Sequence, residues 1–189
     1  LSLGSILGSY ILGTGNLYLS GEMMIGRSIV GALLGATLTV ELYKLWHGTR
    51  GSTGYIYVIP FCVLVIIGRL GCFYSGLDDH TYGTATTLPW AVDFGDGVLR
   101  HPVQLYESGA MLFLLVFVLI ALKKMPGLII HYGYYLCVGF YAMQRFLWEF
   151  LKPYGSIAGN LNLFHLVCLL LISYSLFMYQ GVRNGYRIT

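Results

Sequence analysis

Ile66-Ile67-Gly68-Arg69-Leu70-Gly71-Cys72-Phe73-Tyr74-Ser75-Gly76 ends a run of apolar residues long enough to lie in a lipid bilayer, and it places an arginine there. A guanidinium at the centre of a spanning helix costs about 2.5–3.5 kcal/mol on insertion scales. The stretch therefore raises two questions: what offsets that cost, and what the charge is for. The composition around it agrees with a membrane setting. Of the 189 residues, 57% are hydrophobic and only 10% charged, and the mean hydropathy is +0.71. A soluble domain carries about a quarter charged residues, so bulk composition assigns the chain to a bilayer. The net charge of +3 comes without a basic run of the kind that nucleic-acid binding requires.

Spanning helices need roughly 20 mainly apolar residues. Five segments meet that need clearly: 28–46, 53–74, 103–122, 127–150 and 162–180. A sixth, 3–20, is apolar but interrupted by Gly4, Gly8, Gly13 and Gly15, so it reads as a remnant span or as a re-entrant or interfacial segment. Gly31 and Gly35 give the small-xxx-small spacing that lets helices approach closely. The expected fold is all-α: a polytopic membrane bundle of about five to seven transmembrane helices, forming one integral-membrane domain over 1–189. The chain opens at Leu1 rather than Met, so its true N-terminus is expected upstream. No signal-peptide pattern is seen. Cys62, Cys137 and Cys168 sit in apolar segments without metal or disulfide spacing and read as packing residues.

Lysine and arginine in short loops set the orientation. Lys44 with Arg50, Lys123 with Lys124, and Arg183 with Arg187 follow alternate spans and are expected on the cytoplasmic side. The polar segment 76–102 then faces outward, and with it Asp78, Asp79, His80, Asp93, Asp96, Arg100 and His101. Glu41, three residues before Lys44, suits a local pair near a helix end. Arg69, Glu107, Arg145 and Glu149, from three spans, all fall at the outward ends of their helices. Ionisable groups within a membrane pair with one another or line a cavity, and four converging beside one polar segment point to a site. Arg145 and Glu149, four apart, also suit a structural ion pair. Arg69 has no partner in its own helix, so its counter-charge comes from elsewhere in the fold or from a bound anion. The planar fork of arginine suits a phosphodiester, and the common phosphodiesters of a membrane are lipid head groups.

In order along the chain, "GRLGCFYSG" (68–76), "YGTATTLPWAVDF" (82–94), "RHPVQLYE" (100–107) and "RFLWEF" (145–150) resemble signature segments of the prolipoprotein diacylglyceryl transferase family, and "GRSIVGALLG" (26–35) resembles its glycine-rich segment. The match covers about 26–152. The resemblance implies a multi-pass enzyme of the bacterial inner membrane with its site toward the extracytoplasmic side. Such an enzyme moves the diacylglyceryl group of phosphatidylglycerol to a lipobox cysteine of a prolipoprotein and releases glycerol phosphate, without a cofactor. Carried over by motif, Arg69 contacts the phosphate, Arg145 assists or gates, and Glu149 holds Arg145. Gln104, Tyr106 and Glu107 wall the cavity. Gly68, Gly71, Cys72, Ser75, Gly76, Asp78 and Arg100 complete the substrate-binding set.

The departures are specific. The family reads "GRIGNFxNG" where this chain has Cys72 and Ser75, and "HGG" where it has Val30-Gly31-Ala32. An expected imidazole and two amides are missing. His101 is the leading substitute base, although His101-Pro102 also reads as a helix entry with proline in the first turn. Asp78, Asp79 and His80 suit a base, a metal or a solvated loop, but their spacing matches no recognised metal site. Cys72 reads either as a packing residue or as a nucleophile activated by Arg69. Tyr82, Trp90 and Tyr106 fit an interfacial aromatic belt. Two further readings stand beside the transferase: a homologue with a different acceptor, and a non-catalytic phospholipid-binding protein. A transporter is disfavoured because the spans show no inverted repeat.

Overall fold

The computed structural model describes residues 1–21, 23–49, 52–156 and 159–183; Arg50 and Arg187 lie outside them. Among these residues six α-helices follow in order: α1 Ser2–Leu19, α2 Ile29–His47, α3 Val58–Ser75, α4 Val103–Lys124, α5 Pro126–Glu149 and α6 Leu163–Arg183. In hydrocarbon every backbone polar group must be satisfied within its own segment, which is why apolar stretches of this length become helices. Among the described residues, four segments, those of α2, α3, α4 and α6, are long and apolar enough to cross a membrane. The protein is a multi-pass membrane protein.

Local chemistry sets the helix ends. Ser28 caps α2 by accepting from the Gly31 amide, and Gly48, left-handed at φ 65°, closes it. Gly76, at φ 64°, stops α3. A single residue, Met125, separates α4 from α5, and Pro126 opens α5, where its missing N–H costs nothing. Pro102 stands one position before the first residue of α4 rather than inside its first turn.

α1 covers nearly all of the segment 3–20. It is a continuous 18-residue helix, and its glycines are contact points rather than breaks. Gly4 and Gly8 lie against Gly35 and Gly31 of α2, and a Cβ on Gly8 would collide with the Gly31 carbonyl. Gly13 meets Gly26 in the same way. The two backbones pack closely because neither carries side chains at the seam.

α3 packs on α4, α4 on α5 and α5 on α6, while the α1–α2 hairpin rests chiefly on α6. The core contains Cys62, Val65, Met111, Tyr141 and Leu171, all essentially inaccessible. Cys62, Cys137 and Cys168 are buried free thiols. At the end of the bundle carrying Lys44, Glu41 accepts from Lys44 Nζ at 2.9 Å and from Tyr174 Oη at 2.8 Å, the local pair expected for it. At the opposite end, residues 76–102 form a 3₁₀ turn (Gly76–Asp79) and a small hairpin. Its strands β1 (Val92–Asp93) and β2 (Leu99–Arg100) are antiparallel, with Val92 opposite Arg100. Asp93 Oδ1 accepts from the amides of Gly95, Asp96 and Gly97, which folds the hairpin turn.

Candidate active site

Glu107, in the first turns of α4, is 1% exposed and receives three cations. Arg69 of α3 reaches its Oε2 through Nε, while Arg145 of α5 and Lys152, beyond the end of α5, reach Oε1 at 2.5 and 2.8 Å. Arg145 also bonds Glu149 Oε2 at 2.9 Å, and Glu149 Oε1 accepts from Asn162 Nδ2 at 2.8 Å. All five charged groups are buried. Three cations against two carboxylates leave one positive charge in excess. The cost of Arg69 in lipid is thus offset by a carboxylate one helix away, and the array as a whole still favours an anion.

A cavity of about 1050 Å³ opens onto this array between the α1–α2 hairpin and the faces of α3 and α5. Arg69 and Arg145 line it, whereas Glu107 and Glu149 do not; the guanidiniums face the space and the acids stand behind them. The walls further along are apolar, with Ile29, Leu33, Phe61, Leu64 and Val138. Cys72 and Asp78 line the same space, as do Asp79, His80 and Tyr154. Arg69 Nη1 stands 4.0 Å from Cys72 Sγ. A cationic head with an apolar body suits an amphiphile carrying an anionic group.

The other expected site residues lie elsewhere. His101 Nδ1 is 3.4 Å from Tyr106 Oη, which accepts from Trp90 Nε1 at 2.7 Å, and none of the three lines the cavity. Arg100 is paired with Asp96 at 2.7 Å and stacked over Tyr82. Its hydrogen bond holds the Asp96 carboxyl below its ordinary value. Gly68 and Gly71 are on an open face of α3 with nothing near a notional Cβ, and Ser75 bonds back to the Gly71 carbonyl. Gly76 acts as the helix stop described above. Gln104 is fully buried, with both amide atoms unpartnered. Among the described residues no three metal-ligating side chains converge, Asp78, Asp79 and His80 included.

Sequence reading passed over Lys152, Tyr154 and Asn162. Lys152 had one usable signal, its place three residues after Glu149 and just before Pro153. Burial, reinforced by Arg145, pushes its ammonium down to about 8 in spite of Glu107.

Fold and site together define a helical membrane protein with a cavity faced by two buried guanidiniums. A family profile for prolipoprotein diacylglyceryl transferase matches residues 10–180. Among curated relatives named phosphatidylglycerol–prolipoprotein diacylglyceryl transferase, that of Wolbachia pipientis is 31% identical over 96% of this chain and 74% of its own. That of Geobacter sulfurreducens is 32% identical over 86% and 68%, and that of Campylobacter lari 34% over 63% and 44%. No solved structure matches the chain significantly. The protein belongs to the prolipoprotein diacylglyceryl transferase family.

Proposed function

We propose that the protein is a phospholipid-dependent transferase of the bacterial inner membrane, with its site toward the extracytoplasmic side. It moves the diacylglyceryl group of phosphatidylglycerol to an acceptor, a lipobox cysteine thiol of a prolipoprotein, and releases glycerol phosphate. The observation that carries this reading is the division of the charge array, with two guanidiniums facing the cavity and their carboxylates withdrawn behind it. Arg69 and Arg145 hold the head-group phosphate and take up the charge that grows on it as the carbon–oxygen bond breaks. Glu107 and Glu149 fix the two guanidiniums, so little reorganisation is needed at that moment. The apolar walls take the acyl chains.

The test is incubation of the purified protein with labelled phosphatidylglycerol and a lipobox peptide, followed by mass analysis. A thioether-linked diacylglyceryl adduct with glycerol phosphate release is expected; neither product would overturn the reading for that acceptor. Val30, Cys72 and Ser75, in place of the family's imidazole and amides, favour a second reading. In it the protein serves another acceptor or binds phospholipid without turnover. Retention of labelled lipid with no glycerol phosphate released in a membrane extract selects the non-catalytic form.

A further inference from the structure

We infer that His80 is the general base of this site, supplying the imidazole that the family places elsewhere. The inference rests on the transferase reading above. The chain has five histidines, and His80 is the one that lines the cavity. His47 bonds the Tyr43 carbonyl at the exposed end of α2. His131 stands in the early turns of α5, His101 is engaged with Tyr106, and His165 is packed against Phe146 and Phe150. Val30, where the family resemblance expects the histidine, is 1% exposed in the core and does not line the cavity.

The backbone at His80 supports the assignment independently. It is the one described non-glycine residue with positive φ, at 53°. Its N–H donates to the Leu77 carbonyl at 3.1 Å, and its own carbonyl accepts from Tyr154 Oη at 3.0 Å. Tyr154 itself lines the cavity, so the turn presenting His80 is tied to the loop that follows Lys152. Side-chain-bearing residues are uncommon in the left-handed region, and they persist where the surroundings over-determine them, often at functional sites. The charged and titratable groups sharing the cavity with His80 include Asp78, Asp79 and Tyr82 from its own segment and, from other elements, Arg27, Arg69, Cys72, Arg145 and Tyr154, with Tyr57, Tyr134 and Cys137 further along the walls. Asp79 is already engaged with the Thr81 hydroxyl. An imidazole suits proton removal from a thiol or hydroxyl near neutral pH better than a carboxylate does.

The step balances as follows. The acceptor X–H gives its proton to the imidazole, and an X–C bond forms at the terminal glycerol carbon of the diacylglyceryl unit. The C–O bond to phosphate breaks, with its electron pair remaining on the phosphate oxygen against Arg69 and Arg145. The imidazolium proton then passes to the departing glycerol phosphate.

The experiment compares wild type, His80→Asn, His80→Gln and His101→Gln in nanodiscs of phosphatidylglycerol with the thiol peptide. Asparagine tolerates the left-handed backbone, so it separates loss of the imidazole from loss of the turn. Both His80 variants are expected to bind labelled phosphatidylglycerol like wild type and to release glycerol phosphate about 100-fold more slowly. They should also lose the acid limb of the pH–rate profile and recover in part with added imidazole. His101→Gln should retain that limb. An active wild type matched within threefold by His80→Asn overturns the inference and leaves the transferase reading standing. A wild type that binds lipid but releases nothing, with the thiol peptide and in a membrane extract alike, overturns both.

Discussion

Glu107 Oε1 accepts from Lys152 Nζ at 2.8 Å, joining the start of α4 to the loop after α5 across 45 positions of sequence. Lys152 is the cation that brings the array to a net positive charge, and its ammonium titrates at about 8 because burial and Arg145 oppose it. Below that pH the site carries one charge in excess; above it the excess disappears. Anionic phospholipid affinity is therefore expected to fall by about tenfold between pH 7 and pH 9, the scale of one partly shielded charge. Stability moves the other way. The folded pKa lies below the unfolded value of about 10.4, so between the two the unfolded chain binds more protons, and this group's contribution to stability rises with pH. Lys152→Met should flatten both trends in a binding titration and an unfolding series. A wild-type affinity independent of pH from 7 to 9 would remove Lys152 from this role.

Glu107→Gln tests whether the array is held by its central acid. An amide there leaves Arg69, Arg145 and Lys152 facing one another in a buried space, and breaking a buried pair costs about 3–5 kcal/mol. The midpoint of thermal unfolding in detergent should drop by roughly 10 °C. Asp96→Asn removes an exposed pair with Arg100 and should leave the midpoint where it was. Equal midpoints for the two variants would show that the array is not what holds these helices together.

Much of this architecture is legible in the sequence because lipid makes exceptions expensive. Apolar runs long enough to span have little alternative to helix, which exposed α2, α3, α4 and α6. Arg69, Glu107, Arg145 and Glu149 stood out as charges that needed partners. What stayed hidden depended on pairs of segments. Gly4 and Gly8 look like helix breakers until Gly31 and Gly35 are set against them, and that juxtaposition belongs to two helices at once. Lys152 looked like an ordinary loop lysine because its burial is created by α4. The β1–β2 hairpin, with two residues in each strand, is too short to leave a periodic signal. His101 drew attention by sitting next to a signature motif, whereas cavity lining singles out His80.

The α1–α2 seam gives a third prediction. A side chain at Gly35 would meet the Gly4 carbonyl and the Gly8 backbone, neither of which can rotate away. Gly35→Leu is expected to cost about 1–3 kcal/mol through overpacking and to displace the hairpin that forms one wall of the cavity. Gly109→Leu on α4 adds the same side chain where nothing lies within reach of the new Cβ, and it should be neutral or mildly stabilising. Thermal midpoints measured together with phosphatidylglycerol binding separate the two. Gly35→Leu should lower both and Gly109→Leu neither; the same response from both variants would refute close approach at the seam.

Arg69→Lys distinguishes a shaped phosphate contact from a bare charge. In the wild type the Nε edge of Arg69 engages Glu107 while the side chain also lines the cavity, so one planar group can hold the acid behind and the proposed phosphate in front. Lysine keeps the charge and can still neutralise Glu107, but a single ammonium on a flexible stem offers no fixed fork to a phosphate. The fold should survive, with a thermal midpoint near that of wild type. Affinity for phosphatidylglycerol should fall by about 10- to 150-fold, the loss of roughly 1.5–3 kcal/mol carried by a charged hydrogen bond. Affinity for a neutral diacylglycerol should stay the same, because the apolar walls are untouched. If lysine supports wild-type phosphatidylglycerol binding, position 69 acts only through its charge, and the fork geometry proposed for Arg69 at the head group is not what the site uses.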